Sequence, residues 1–118
     1  MSDELWAPSV DAIAGSNLTA FTHYAAAQTG LSFADYDALH RWSVTVPGEF
    51  WSLYWQFARI RSSVDATQPV SNIENFPGAK WFPGARMNFA ENLLQERSEK
   101  TAFISILENG RRRSCSYH

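Results

Sequence analysis

Cysteine is almost absent from this 118-residue sequence, in which Cys115 is the only one. A single cysteine excludes an intrachain disulfide and is typical of proteins from a reducing compartment. The sequence also lacks any apolar run near the ~20 residues that a membrane-spanning helix needs. Its acidic start, MSDELWAPS, has neither the basic nor the apolar region of a secretory signal. We therefore expect a cytoplasmic protein with no membrane partner.

An excess of positive charge is missing as well. Lysine and arginine number 10 against 12 aspartates and glutamates, the formal net charge is -2, and the pI is about 5.9. Domains that bind nucleic acid usually carry a basic face and a high pI. The one basic run, Arg111 to Arg113, follows Asn109-Gly110 and is interpreted as the solvated flank of a turn. We expect no nucleic-acid partner.

Motifs for metal, nucleotide or nucleophilic chemistry are not found. His23, His40 and His118 are isolated, without a carboxylate or cysteine at ligand spacing. The sequence Gly78-Ala79-Lys80 lacks the Gly-Lys-Ser/Thr end of a phosphate loop, and no serine occupies a nucleophile elbow. Cys115 is expected in mid-strand as a structural thiol, although Arg113 lies nearby in sequence.

Carboxylates are present in the structured segments, but their positions indicate structural use. Asp35, Glu49 and Glu91 fall in expected first helical turns, where capping and the helix dipole favour them, and Asp37 lies nearby. The sequence therefore predicts no catalytic, cofactor-binding or metal-binding residue in this chain.

Aromatic side chains are abundant, with 8 Phe, 5 Trp and 4 Tyr. Each buries roughly 150–250 Å² when packed, whereas a domain this small buries only about two-thirds of its unfolded surface. Either the aromatic side chains fill a rich core, or some of them lie on a surface that another body covers.

Capping signals and apolar spacing predict about four helices. The first is capped by Ser16 or Asn17 and stops at Gly30. Ser32 and Asp35 form a variant capping box for the second helix, which should end near Trp42-Ser43. The third spans 47–60 with Pro47 in its first turn, and the fourth follows Asn88 as its cap. Residues 1–15 are interpreted as an arm and residues 61–75 as a linker.

The third helix is apolar on nearly all sides. One stripe consists of Phe50, Leu53, Tyr54 and Phe57, and a second contains Trp51 and Trp55. A helix of this kind is a buried helix, and three short helices cannot cover it from every direction. The pattern predicts that a further body packs against this chain.

A β-hairpin is predicted at the C-terminal end. Asn109-Gly110 lies between two extended runs, which is a strong short-range hairpin signal. A two-residue turn there would place Ile104 opposite Cys115 and Ile106 opposite Arg113. A lone two-stranded hairpin is marginal in water, so this element also predicts a missing body.

The stretch NFPGAKWFPGARMNFAENLL at 75–94 permits two interpretations. Pro77-Gly78 and Pro83-Gly84 suit type II turns, which would press Trp81-Phe82 against a neighbouring surface. The same glycines beside Lys80 and Arg86 resemble a phosphate or nucleic-acid loop. Packing is the favoured interpretation, and direct ligand contact stays open.

Two segments, YDALHRWSVTVPGEFWSLYWQF at 36–57 and WFPGARMNFAENLL at 81–94, resemble the N-terminal region of acetoacetyl-CoA synthetases. These are acid–CoA ligases of the adenylate-forming superfamily, and the resemblance extends from Leu18 to the end. Related acetyl-CoA synthetases continue toward an Asp-Arg-His sequence, whereas this chain has Ala90-Glu91-Asn92-Leu93-Leu94. Met87 and Phe89 depart from the Leu and Tyr expected there.

The resemblance implies an α+β fragment, with about four N-terminal helices followed by a hairpin that begins the large adenylation domain. Residues 1–97 would form the N-terminal helical region, and 98–118 the first strands of the AMP-binding domain. The parent would be an ATP-dependent ligase that uses ATP, Mg²⁺ and CoA to convert acetoacetate to acetoacetyl-CoA through an acyl-adenylate. Its phosphate loop and catalytic lysine would lie outside this chain, which would be inactive alone, hold no cofactor, and have the missing adenylation domain as its partner.

Two alternatives stay open. The chain could be a stand-alone helical interaction module whose aromatic surface binds another protein. It could also belong to an acetyl- or propionyl-CoA synthetase, although the stretch 90–94 argues against this.

Overall fold

A computed structural model describes residues 5–118, which contain five helices and two two-stranded antiparallel sheets. The helices are α1 Val10–Ala14, α2 Asn17–Thr29, α3 Tyr36–Thr45, α4 Pro47–Phe57 and α5 Phe89–Leu93. The strands are β1 Val70–Ser71, β2 Lys80–Trp81, β3 Thr101–Ile106 and β4 Arg112–Ser116. The chain divides into two units, one formed by residues up to 60 with 67–83, the other by 61–66 with 84–118.

Helix α2 begins and ends as its sequence predicts. The Ser16 side chain accepts a hydrogen bond from the backbone N–H of Thr19, which satisfies one of the free donors of the first turn. Gly30 follows the last turn with a φ of 72°, and its N–H donates to Ala26 O. This left-handed conformation favours glycine and stops the helix.

Helix α3 begins later and ends later than predicted. Its N-cap is Asp35, whose carboxylate accepts from Ala38 N at 2.8 Å, so Ser32 does not open the helix. An aspartate at this position satisfies the first-turn donor directly and needs no capping box. The helix continues through the β-branched Val44 and ends at Thr45. A proline restricts the backbone of the residue directly before it, which here is Val46.

Helix α4 begins at Pro47, as predicted, and ends at Phe57 rather than at residue 60. Proline fits the first turn because its missing N–H would have no partner there. No residue of α4 is fully buried, so the predicted buried helix is not enclosed by the described part of the chain.

The core of the first unit lies between α2, α3 and α4. Phe21, Ala25, Leu39 and Trp42 are its buried residues, and Phe21 contacts Phe50 edge to face with ring centroids 5.4 Å apart. Partly buried residues from the same helices and the α2–α3 connection surround it: Tyr24, Phe33, Phe50, Leu53 and Phe57. One small aromatic core thus holds the three helices together.

Two segments expected to be irregular contain regular structure. In the predicted arm, residues 10–14 form the short helix α1, which Ser9 caps by accepting from Ala12 N at 3.2 Å. The first four residues of that arm lie outside the described part. The predicted linker is not free: its later part forms β1, and Val64 makes an antiparallel bridge with Arg86 in the second unit.

In the second unit, helix α5 is capped as predicted. Asn88 accepts from Glu91 N at 3.1 Å. Asn92, on the same helix, binds the backbone of Arg61 twice: Arg61 N donates to Asn92 Oδ1 at 2.7 Å, and Asn92 Nδ2 donates to Arg61 O at 2.9 Å. One amide side chain therefore fastens the segment 61–66 to α5.

The predicted hairpin is confirmed, but its predicted register is wrong by one residue. Ile104 lies opposite Ser114 and Ile106 opposite Arg112, and Phe103 lies opposite Cys115. The turn is closed by Gly110 N donating to Leu107 O at 2.9 Å, so Glu108 and Asn109 are its central residues. Gly110 then adopts a φ of 76°. This longer loop, with glycine in the left-handed position, replaces the two-residue turn and shifts the pairing.

The predicted order of helices followed by a hairpin is confirmed. None of the described helices combines the length and apolar character that crossing a membrane requires.

Candidate functional site

The strongest candidate for a functional surface is the segment 67–83 together with the face of α4 against which it packs. Two aromatic pairs join them, and we call these four residues the aromatic clasp. The Trp55 and Phe82 rings lie 4.5 Å apart at 36°, and the Trp51 and Trp81 rings lie 6.1 Å apart at 72°. The first pair is tilted and the second is edge to face, and both centroid distances lie in the range in which aromatic rings attract each other.

Backbone hydrogen bonds hold the segment 67–83 in a closed shape. β1 pairs with β2, Phe82 N donates to Pro69 O at 2.8 Å, and Thr67 N donates to Pro83 O at 3.1 Å. Further along, Ala79 N donates to Asn75 O at 3.0 Å. The polar backbone groups of this loop are therefore directed toward the loop itself and not toward an anion.

Phe82 has an unusual backbone conformation for a bulky residue, with a φ of 45°. Such a conformation costs of order 1–3 kcal/mol and persists only where the surroundings enforce it. The ring contact with Trp55 and the hydrogen bond to Pro69 supply that enforcement. The left-handed conformation at residue 82 directs the Phe82 ring toward Trp55 on α4.

The two glycines of the segment 75–84 adopt positive φ angles that suit turns. Gly84 has a φ of 85°, which fits the third position of a type II turn after Pro83. Gly78 has a φ of 143°, and a Cβ at this position would lie 3.1 Å from Asn75 Cβ. Lys80 lies exposed in β2. These observations support the packing interpretation of 75–84.

Apolar side chains near the core of the first unit are also exposed. A groove of about 710 Å³ lies between α2, α3 and the end of α4. Leu18 is 49% exposed and Tyr54 is 42% exposed on its wall, and Tyr36 stacks on His40 with ring centroids 6.0 Å apart. The groove is open and mostly apolar.

The accessible surface of the chain is large for its mass. The accessible surface is 9702 Å² for a mass of 13.3 kDa. Even if its two units are counted as separate compact bodies, the size scaling of folded proteins gives roughly 7,700 Å². The chain therefore exposes more surface than two compact bodies of its mass would.

The candidate chemical residues of the sequence lie apart or have structural partners. Asp35 caps α3, Glu49 accepts from Trp42 Nε1 at 3.3 Å, and Glu91 lies 3.8 Å from Arg61 in an exposed ion pair. Cys115 is exposed in β4. Within residues 5–118, no group of three or more His, Cys, Asp or Glu side chains could hold a metal ion.

Sequence reasoning missed two features of these surfaces. The pairing of Trp51 and Trp55 with the loop residues Trp81 and Phe82 is a contact distant in sequence, and no local spacing indicates it. The double hydrogen bond of Asn92 to Arg61 links residues 31 positions apart. Its only local signal is an uncharged polar residue inside a short apolar helix.

Comparison with known proteins identifies the chain's relatives. The family model described as acetyl-coenzyme A synthetase N-terminus matches residues 36–93. An acetoacetyl-coenzyme A synthetase of Rhizobium meliloti (strain 1021) is 36% identical over 100 residues, which cover 85% of this chain and 15% of the relative. A malonamoyl-CoA synthetase of Penicillium aethiopicum is 40% identical over 90 residues, covering 70% of this chain and 12% of that protein.

A solved structure agrees with these sequence matches. The acetoacetyl-CoA synthetase from Streptomyces lividans superposes with a TM-score of 0.83 and 31% identity, over 95% of this chain and 18% of that one. The present chain thus spans less than a fifth of the length of these relatives. It belongs to the acetoacetyl-CoA synthetase family and corresponds to the N-terminal region of those enzymes.

Proposed function

We propose that this chain is the N-terminal region of an acetoacetate–CoA ligase. The parent reaction converts acetoacetate, ATP and CoA to acetoacetyl-CoA, AMP and pyrophosphate through an acyl-adenylate. The observation that carries the proposal is the agreement between the sequence relatives and the superposed structure over nearly the whole described chain.

The role of this region in the parent is structural. Its open groove, its half-exposed clasp and the exposed Ile and Phe side chains of β3 are mainly apolar surfaces. The polar residues that line the groove, among them Asn17, His40, Ser43 and Arg59, include no carboxylate. Residues 1–97 form the helical region in this proposal, and residues 98–118 begin the AMP-binding domain. The adenylation domain of the parent is the partner that covers these surfaces. The parent acts in the cytoplasm.

The part of the chain that the structure describes offers no evident site for a nucleotide or a magnesium ion. Among residues 5–118, no three or more His, Cys, Asp or Glu side chains form a group that could hold a metal ion. The backbone N–H groups of the Pro-Gly loop that form hydrogen bonds do so within the loop. In this proposal ATP, Mg²⁺ and CoA bind elsewhere in the parent, and this chain takes part in no chemical step.

The acyl substrate is proposed from the relatives' names. Most matched relatives of known name are acetoacetyl-CoA synthetases, such as those of Rhizobium meliloti and Danio rerio. One relative with 40% identity is a malonamoyl-CoA synthetase. N-terminal regions of this kind therefore occur in enzymes named for different acyl groups. Acetoacetate is the proposed substrate, and its pocket lies outside residues 5–118.

An ATP–pyrophosphate exchange assay on the isolated chain tests the structural role. The proposal predicts no acetoacetate-dependent exchange above the buffer rate, and a clear signal would contradict it. Sedimentation and thermal melting of the same sample separate this proposal from an interaction module. A monomer with a cooperative melt and no apolar dye binding would favour the module, whereas self-association or dye binding supports an uncovered enzyme region.

A further inference from the structure

We infer that β3 is an inner strand of a larger sheet in the parent enzyme, and that a further strand of the same polypeptide pairs along its free edge. β4 is then the terminal strand at that place in the sheet. This inference rests on the proposed function and specifies which edge of the hairpin the rest of the enzyme contacts.

The two strands of the hairpin differ sharply in composition. β3 carries apolar side chains on both faces: Ile104 and Ile106 lie on one face, and Phe103 lies on the other beside Thr101 and Ser105. Ile104, Ile106 and Phe103 are 50%, 70% and 56% exposed. β4 instead has the sequence Arg-Arg-Ser-Cys-Ser. Strands buried on both faces have continuous apolar sequences, whereas edge strands carry charged side chains that discourage further pairing.

The hydrogen-bond pattern shows which backbone groups of β3 are free within the hairpin. Leu107 N donates to Arg111 O at 2.9 Å, so the backbone N–H of Leu107 points toward the partner strand of the hairpin. Hydrogen-bonded and non-hydrogen-bonded pairs alternate along an antiparallel ladder. The backbone N–H and C=O groups of Ser105 and Phe103 therefore also point toward β4, where Arg113 and Cys115 lie opposite them. The N–H and C=O groups of Ile104 and Ile106 then point away from β4.

By the same alternation, Arg112 and Ser114 direct their N–H groups toward the outer edge of β4. The hairpin therefore has two edges with free backbone groups. Of the two strands, only β3 carries large apolar side chains on both faces of the hairpin. A strand added at the edge of β3 would pair with the free N–H and C=O groups of Ile104 and Ile106 and make β3 an inner strand.

We assign the strand that pairs with β3 to the parent polypeptide, because the relatives are much longer than this chain. This chain accounts for 15% of the Rhizobium meliloti relative and 18% of the Streptomyces lividans one. A hairpin alone is marginally stable, and three or more strands with an apolar face are needed. The longer protein supplies such strands in the same polypeptide, at an effective concentration that a second copy does not reach.

The test uses a chimera in which this chain replaces the matching N-terminal region of the Rhizobium meliloti enzyme. Hydrogen exchange is measured at single-amide resolution in the unmodified chimera. We expect the amides of Ile104 and Ile106 to exchange at least about 100-fold more slowly than in the isolated chain, because they enter a buried ladder. The amides of Arg112 and Ser114 should change by less than about threefold.

Proline substitutions give a second, independent measurement. Ile104→Pro removes the outward N–H, and Ile104→Ala controls for the lost side chain. Ser114→Pro and Ser114→Ala are the matched pair on β4. Proline is tolerated at an edge and not inside a sheet, so Ile104→Pro should lower soluble ligase activity at least about tenfold relative to Ile104→Ala. Ser114→Pro should stay within about threefold of Ser114→Ala.

The outcomes separate the inference from the proposed function. Protection at Arg112 and Ser114 alone, or equal tolerance of both prolines in an active chimera, would overturn the inference and leave the proposed function standing. A chimera that dimerises and that Ile104→Pro dissociates would assign the edge to a second copy, which also overturns it. A folded chimera without ligase activity would contradict the proposed function itself, and the inference with it.

Discussion

The Trp55 indole on α4 lies 4.5 Å from the Phe82 ring, and Phe82 reaches it from a left-handed backbone conformation. The contact therefore combines a gain from ring packing with a cost in backbone strain. These two contributions can be separated by substitution.

We predict that Phe82→Gly is less destabilising than Phe82→Ala. Both remove the ring, with an expected loss of about 2 kcal/mol for a half-buried Phe. Glycine relieves the left-handed strain that alanine retains, which is worth about 1 kcal/mol. Urea unfolding followed by tryptophan fluorescence measures both. In this and the next two predictions the variants are compared in the chimera with the Rhizobium meliloti enzyme, in which the proposed function expects the surfaces of this chain to be covered. The usual order, with alanine the more stable, would show that residue 82 is not held at positive φ.

Trp81 should contribute to stability but less than a core tryptophan. It is 45% exposed and contacts Trp51 at one edge, so Trp81→Ala should cost about 2 kcal/mol instead of the 3–5 expected for full burial. Phe76→Ala is the control in the same loop, since Phe76 is fully exposed. Its urea midpoint should not move, and an equal loss for both variants would contradict the clasp.

Asn92 should matter more than the ion pair beside it. Asn92→Ala removes two hydrogen bonds to the Arg61 backbone, for an expected loss of about 1–2 kcal/mol in the free energy of unfolding. Arg61→Ala keeps that backbone and removes only the exposed pair with Glu91, which should cost less than about 0.5 kcal/mol. Urea unfolding monitored by circular dichroism compares them, and the reverse order would refute the assignment.

The hairpin register can be checked by disulfide formation. In a Cys115→Ser background, Ile104→Cys and Ser114→Cys should oxidise readily to a cross-link, because these residues are directly opposite in a close, non-hydrogen-bonded pair. Ile104→Cys with native Cys115 should not cross-link, since Phe103 faces Cys115. Mass spectrometry after mild oxidation distinguishes the two. A cross-link only in the second variant would restore the register expected from a two-residue turn.

The sequence predicts local features of this chain well and distant ones poorly. Ser16, Gly30, Pro47 and Asn88 each act within one turn of a helix, and their roles were predicted correctly because capping needs only neighbouring residues. The hairpin was found but displaced by one residue, since Asn-Gly fits both a two-residue turn and a longer loop that ends in a left-handed glycine.

Contacts between distant segments could not be predicted in the same way. The segment 61–75 is polar and has a proline, as a linker would, yet its bonds to the loop 80–86 give it defined structure. Trp81 was predicted to press against a neighbouring surface, and its ring contacts Trp51 while 45% of the residue stays exposed. The prediction that the chain holds no catalytic residue stays a prediction.

The central claim is that this chain completes an acetoacetate–CoA ligase without contributing its chemistry. The most direct measurement is acetoacetate- and CoA-dependent AMP formation by the chimera with the Rhizobium meliloti enzyme, compared with the isolated chain and with the remainder lacking this region. The account predicts activity in the chimera and none in either part alone. Activity in the isolated chain, or undiminished activity in the remainder without it, would contradict the account.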